Sequence, residues 1–245
     1  MLSKRILVLG GTSDAIILAK DLLKVGFDVV TSLAGVTENP VLPEGEIRVG
    51  GFGGEKGLYD YLKIQGFSAV ADATHPFASQ ISRHGFNASE LAGIPYMRLE
   101  RTAWTPLPAD SWIDVMDMEF AVAALPLNAK VLLTIGRKEI HSFFARKDLS
   151  GVARMIEKPS FDFPPNWQLL LARPPFDVEA ERDLLLACKT THLVTKNAGG
   201  RLTVSKLIAA RGLRIPVVMI SRPAKPDATC FGSASALVTA CRSLL

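Results

Sequence analysis

The side chains of this chain that can do chemistry stand directly after short apolar runs. Asp72-Ala73-Thr74-His75-Pro76-Phe77-Ala78 follows Ala69-Val70-Ala71, and its imidazole can trade a proton near neutral pH. Pro76 holds the backbone of His75 in an extended or turn conformation. Gly136-Arg137-Lys138 follows Lys130–Ile135, and two cations beside a glycine form a ready anion site. Lys196-Asn197-Ala198-Gly199-Gly200 follows His192–Thr195, and Arg222 follows Pro216–Ile220. An arginine in such a place can grip a carboxylate with two parallel hydrogen bonds.

A fifth stretch, Gly10-Gly11-Thr12-Ser13, follows Ile6–Leu9 and opens a helical pattern. Glycine there permits a positive φ and lets another molecule approach the backbone closely. The helix behind it presents unpaired N–H groups and a partial positive charge, which suits a phosphate. Ser13 or Asp14 is the expected cap, and Ala15 is small enough for the helix to lie close to its strand. The pattern Gly-Gly-x-x-x-Ala is a weaker variant of the dinucleotide fingerprint. Where NAD enzymes end their second strand with an acidic residue that holds the ribose, this chain has Ser32, followed by Leu33-Ala34-Gly35-Val36-Thr37. A hydroxyl there accommodates a 2′-phosphate, so NADP is favoured over NAD. Gly50-Gly51-Phe52-Gly53-Gly54 reads as backbone packed against a ligand, as a loop that closes over one, or as a plain flexible connection.

Positioning these groups requires alternating strands and helices, and the chain has that rhythm throughout. Strands are expected at Ile6–Leu9, Asp28–Ser32, Ala69–Asp72, Gly93–Leu99, Lys130–Ile135, Ala153–Ile156, Trp167–Ala172, His192–Thr195 and Pro216–Ile220. Helices are expected near 14–25, 57–65, 78–91, 117–125, 177–187, 205–211 and 233–243, with a short one around His141. Pro106 and Pro108 mark a boundary. The expected architecture is α/β, two Rossmann-like lobes with mainly parallel sheets and a cleft between them. Residues 1–104 would bind a dinucleotide and 105–245 a substrate.

Composition narrows the classes of function. Of 245 residues, 48% are hydrophobic and 21% charged, ample for packed cores and unlike a disordered chain. The longest apolar runs fall far short of the ~20 residues a membrane span needs. Lys4 and Arg5 precede only four apolar residues, so no signal peptide is expected. Cys188, Cys230 and Cys241 match no zinc or redox spacing, and a reducing cytoplasm is expected. The net charge of +4 favours anionic partners, but no lysine–arginine run marks a nucleic-acid footprint. Oligomeric state leaves no sign.

Taken together, the loops resemble one family, the precorrin-6A reductases of corrin-ring biosynthesis. The resemblance rests on Leu9-Gly10-Gly11-Thr12, Ser32-Leu33-Ala34-Gly35, Arg48-Val49-Gly50-Gly51-Phe52-Gly53-Gly54, Asp72–Ala78, Gly136-Arg137-Lys138-Glu139, Thr195–Gly200 and Lys206–Arg211, in the family's order and over nearly the whole chain. It implies a two-lobed reductase that passes hydride from NADPH, with NADH an alternative, to a double bond of a polycarboxylate tetrapyrrole. Gly10, Gly11, Thr12 and Ser13 would then hold phosphates, and Ser32, Ala34 and Arg48 the adenosine ribose. Thr74, His75, Pro76 and Phe77 would line the nicotinamide side. Arg137, Lys138, Lys196, Asn197 and Arg222 would hold substrate carboxylates, with His75 or Lys196, or water, as proton donor. The family places an arginine where this chain has Val36; if that arginine meets the 2′-phosphate, its absence weakens the preference for NADP and leaves Arg48 as the candidate substitute.

Two other readings compete. Tyr59-Asp60-Tyr61-Leu62-Lys63 satisfies Y-x-x-x-K, the pair of a short-chain dehydrogenase, though it falls early in the chain for that family. A nucleotide-binding sensor without catalysis would also carry the first turn.

Overall fold

A computed structural model describes residues 4–35 and 41–244. The chain divides into one compact unit of residues 1–102 with 224–245 and a second of residues 103–223.

The first unit begins with β1 (Arg5–Leu9), α1 (Ser13–Lys24), β2 (Asp28–Leu33), β3 (Glu46–Val49), α2 (Glu55–Gln65), β4 (Ala69–Asp72), α3 (Ser79–Ala92) and β5 (Tyr96–Leu99). The central strands are apolar on both faces, as expected of parallel strands covered by helices on either side. Alternate residues divide between two cores. Ile6, Val8, Val29, Ala69 and Ala71 pack against Ala15, Leu18, Ala19 and Leu22 of α1. Leu7, Leu9, Val30 and Val70 pack against Leu58 and Leu62 of α2 and Ala88 of α3.

The second unit contains β6 (Trp112–Val115), α4 (Met118–Ala123), β7 (Lys130–Thr134), α5 (His141–Ala145), β8 (Ser150–Met155), β9 (Trp167–Leu171), α6 (Val178–Ala187), β10 (His192–Lys196), α7 (Ser205–Gly212) and β11 (Val217–Ile220). The chain then returns to the first unit with β12 (Thr229–Phe231) and α8 (Ala234–Cys241). Both sheets are six-stranded and parallel throughout, in the orders β12-β5-β4-β1-β2-β3 and β6-β11-β10-β7-β8-β9.

The α/β class with two Rossmann-like parallel sheets is as expected, but the second lobe is not the contiguous stretch 105–245. Thr229–Phe231 pairs with Met97–Leu99 of β5, and Leu237, Val238 and Cys241 complete the core beneath α1. At the other end, Trp104 joins the second unit, because Asn197 and Gly200 hydrogen-bond it. The edge strands Trp112–Val115 and Thr229–Phe231 are not among the expected ones.

Candidate active site

In both units the candidate residues collect at the carboxyl edge of the sheet, where open parallel sheets bind ligands. In the first sheet, Asp72, Leu9, Ser32 and Arg48 stand side by side in one row across β4, β1, β2 and β3. The loops leaving that row carry Thr74–Phe77, Gly10–Ser13, Ala34 and the five-residue glycine-rich segment.

The first turn gives its two glycines separate duties. A Cβ on Gly10 would lie 2.8 Å from Thr31 Cγ2, and the Gly10 N–H donates to Ser32 O at 2.9 Å, so this glycine serves sheet packing. Gly11 has φ +103° and nothing within 4 Å of an added Cβ, so it faces open space. The two variants should therefore separate. Gly10→Ala is expected to lower stability by about 1–3 kcal/mol through overpacking, read as a shifted urea midpoint. Gly11→Ala meets a left-handed backbone penalty of about 1–2 kcal/mol without a packing clash, and if this turn cradles a dinucleotide, as its sequence leads one to expect, kinetics should show it chiefly as a raised KM for that ligand.

The cap of α1 is Thr12, not Ser13 or Asp14. Its Oγ1 accepts from Ala15 N at 3.1 Å and donates to Ala73 O at 2.7 Å, tying the turn to the end of β4. A threonine caps through the same Oγ as a serine, and its extended backbone places the helix start one residue earlier. Asp14 instead pairs with Arg101 at 3.2 Å.

Arg48 lies over the Phe52 ring, 3.8 Å from its centroid, and donates to the carbonyls of Gly50 and Gly51 and to Ser32 Oγ. The glycine-rich segment is thereby fastened rather than loose. Its far end is held by α2, where a Cβ on Gly57 would fall 1.8 Å from the Phe52 carbonyl oxygen. Arg48 stands near the end of β3 beside Ser32. Val36 lies outside the described residues.

A buried network positions the His75 loop. Asp72, 1% exposed, accepts from Thr74 N at 2.9 Å, from Thr74 Oγ1 at 2.6 Å and from the Tyr96 hydroxyl at 2.6 Å. Burial and the adjacent carboxylate push the Tyr96 hydroxyl above its ordinary range, so it stays a donor. Beyond it, His75 Nδ1 accepts the Phe77 N–H at 3.2 Å. That bond makes Nε2 the protonated nitrogen of the neutral ring. Lys225, from the returning C-terminal segment, reaches the His75 carbonyl at 3.5 Å.

In the second sheet β11, β10 and β7 are neighbours, so Arg222, Lys196-Asn197 and Arg137-Lys138 emerge together. Lys196 pairs with Glu139, one residue beyond Lys138. Asn197 departs from its expected role. Its Oδ1 accepts from Trp104 N at 2.9 Å and its Nδ2 donates to Trp104 O at 3.0 Å, so the amide serves as a clip and not as an anion donor. Arg222 braces the same loop, donating from Nε to Asn197 O and from Nη2 to Ala198 O.

Beneath the clip lies a charged group that sequence reasoning did not single out. Arg154 at the end of β8 and Glu181 in the first turn of α6 form a 2.7 Å ion pair, with side chains 7% and 1% exposed. Arg154 lies 4.0 Å from the Phe176 ring centroid. Lys206, in the first turn of α7, is 5% exposed, and its Nζ is 5.4 Å from the Trp104 ring centroid. Lys206 stood in a matching motif, but a lysine on a helix reads as solvated until burial is known.

The Tyr59 and Lys63 pair has no such setting. Tyr59 packs against the core on the α2 side of the first sheet, and Lys63 is exposed. Among the described residues no group of three or more His, Cys, Asp or Glu could hold a metal, and no helix is long and apolar enough to cross a membrane.

Two parallel six-stranded sheets with their polar loops gathered at the carboxyl edges define a protein built from two Rossmann-type units. The family described as Precorrin-6x reductase CbiJ/CobK matches residues 5–242. A precorrin-6A reductase of Rhodococcus erythropolis is 45% identical over 92% of this chain and 92% of its own, and one of Rhodobacter capsulatus is 45% identical over 91% and 89%. A cobalt-precorrin-6A reductase of Priestia megaterium is 30% identical over 96% of this chain and 97% of its own. A solved structure titled CobK precorrin-6A reductase superposes with a TM-score of 0.92 at 41% identity, covering 98% of this chain and 96% of that one. The chain belongs to the precorrin-6A reductase family of cobalamin biosynthesis.

Proposed function

We propose that this protein reduces one double bond of metal-free precorrin-6A to give precorrin-6B, with NADPH as reductant. The observation that carries the reading is the gathering of a dinucleotide-type turn at one carboxyl edge and of Arg137, Lys138 and Lys196 at another, in a member of this family. The metal-free substrate is favoured by 45% identity to two precorrin-6A reductases against 30% to a cobalt-precorrin-6A reductase.

The first unit fits a dinucleotide. Open space at Gly11 lies at the head of a twelve-residue helix, whose first-turn N–H groups and dipole suit a diphosphate. Gly10, Gly11, Thr12 and Ser13 would shape that cradle, with Ser32, Ala34 and Arg48 at the ribose and Thr74–Phe77 along the nicotinamide. The bound cofactor supplies hydride; the protein must orient its partners and deliver one proton. His75 is the better proton donor. Lys196 is held as an ion pair by Glu139 and is suited to receive a carboxylate. Arg137 and Lys138 would hold further carboxylates, with Asn197 and Arg222 keeping their loop in place.

The test is turnover of precorrin-6A with NADPH, followed by the visible spectrum of the macrocycle. Absence of any change with authentic substrate would refute the reading. Lys196→Ala should raise the substrate KM about 10- to 150-fold, the loss of one charged hydrogen bond of about 1.5–3 kcal/mol. If His75→Ala and Lys196→Ala both leave turnover intact, neither residue is the proton donor.

A further inference from the structure

A buried lysine usually sits against a carboxylate that neutralises it. Lys206 does not have one to itself. The charged groups that face it are Arg154 from β8 and Glu181 from α6, and the Glu181 carboxylate is already bonded to Arg154 through Oε1. The segment packed on its third side contributes the uncharged ring of Trp104. Two cations thus share one carboxylate in a site closed to bulk water. Glu181 Oε2 is buried without a hydrogen-bond partner, so its second lone-pair set does not relieve the shortage. A net positive charge of this kind is stabilised by any anion brought near it, because screening is weak where water is excluded.

The anion-facing loop is one aromatic ring away. Trp104 rests over Lys206, its backbone is clipped by Asn197, and its indole N–H donates to Gly200 O at 2.9 Å. Asn197 adjoins Lys196. A ligand on Lys196 is therefore linked to Lys206 through three contacts, two of them hydrogen bonds and none requiring a change of fold.

We propose that Lys206 is the proton-uptake site of the second unit: it gains a proton from solvent when a polycarboxylate settles on the loops that follow β7 and β10. Naming the anion as a polycarboxylate rests on the function proposed above. Lys206 is suited to the part because burial, reinforced by Arg154 and opposed by Glu181, pushes its amine down to about 7. Incoming negative charge favours the ammonium, so the amine that is partly neutral at pH 7.5 becomes charged on binding.

The experiment is calorimetric binding of precorrin-6A to the protein with NADP+, which cannot deliver hydride, at pH 7.5 in buffers of different ionisation enthalpy. The slope of heat against ionisation enthalpy counts protons taken up. Wild type should take up a substantial fraction of one proton. Lys206→Met, which cannot charge, and Lys206→Arg, which is always charged, should each bring the slope close to zero while still binding. No uptake in wild type, or the same slope in both variants, would overturn the proposal. Should precorrin-6A fail to bind at all, the functional reading fails, and a second measurement decides this one. In protein labelled with 15N-lysine, the Lys206 resonance should titrate near neutrality and move to higher pH when citrate is added. A Lys206 that titrates in the ordinary lysine range, or is unmoved by citrate, overturns the proposal.

Discussion

Asp72→Ala should lower kcat about 100-fold and destabilise the first unit by about 3 kcal/mol. The carboxylate accepts three hydrogen bonds in a place that is 1% exposed. Its removal leaves the Thr74 N–H buried without its acceptor, at about 1–3 kcal/mol for an unsatisfied group, and leaves the Thr74 hydroxyl with only the longer 3.4 Å contact to Ser82 Oγ. Tyr96 loses less, because its hydroxyl also reaches Ser82 O at 3.1 Å. The larger loss falls on chemistry. Thr74 is next to His75, the proton donor proposed above, and a displacement of about 1 Å at a reacting group costs about 100-fold in rate. Asp72→Asn separates the two effects. Its carbonyl still accepts from Thr74 while Tyr96 turns its hydrogen to Ser82, so kcat should fall far less than in the alanine variant. Steady-state kinetics and urea unfolding on both variants check this. Equal rates in wild type and Asp72→Ala would show that the network does not position the loop.

Glu181→Ala carries the second large effect, this time on stability. Removing one partner of a buried ion pair leaves an uncompensated charge and costs about 3–5 kcal/mol. Here it strands Arg154, whose side chain is 7% exposed, next to Lys206. Replacing the pair together, as Arg154→Met with Glu181→Leu, should recover most of the loss, since buried pairs are often no better than apolar residues of similar volume. The urea midpoint reads both. A pH series adds a signed check. The Lys206 amine is pushed down from 10.5 to about 7 by folding, so the unfolded chain binds more protons between those values. Stability should therefore rise with pH from about 7 towards 10.5, and Lys206→Met should flatten that slope.

Much of this arrangement can be read from residue order alone. Apolar runs ending in glycine, histidine or paired cations locate the carboxyl edges, because in a parallel sheet every strand delivers its following loop to the same side. That is why His75, Gly10, Lys196 and Arg137 were recognisable. What residue order conceals is who bonds to whom. Asn197 and Lys196 are adjacent and equally polar, yet one faces Trp104 and the other Glu139. Arg48 reads as a contact for the adenosine ribose, and it also braces glycine carbonyls. Lys206 and Glu181 sit in helical first turns, where charged residues are ordinarily solvated, and only the packing of α6 on α7 reveals them as buried.

The return of the last segment to the first sheet also has a bearing on how the protein is made. Residues 103–223 lie between β5 and its neighbour β12, and Leu237, Val238 and Cys241 belong to the core beneath α1. During synthesis the amino-terminal sheet emerges with five strands and an uncovered apolar strip under α1. The second unit has all its strands once Ile220 has left the ribosome. The unit that starts first is completed last, and until Thr229–Phe231 has emerged its open edge at β5 is a template for another chain's strand.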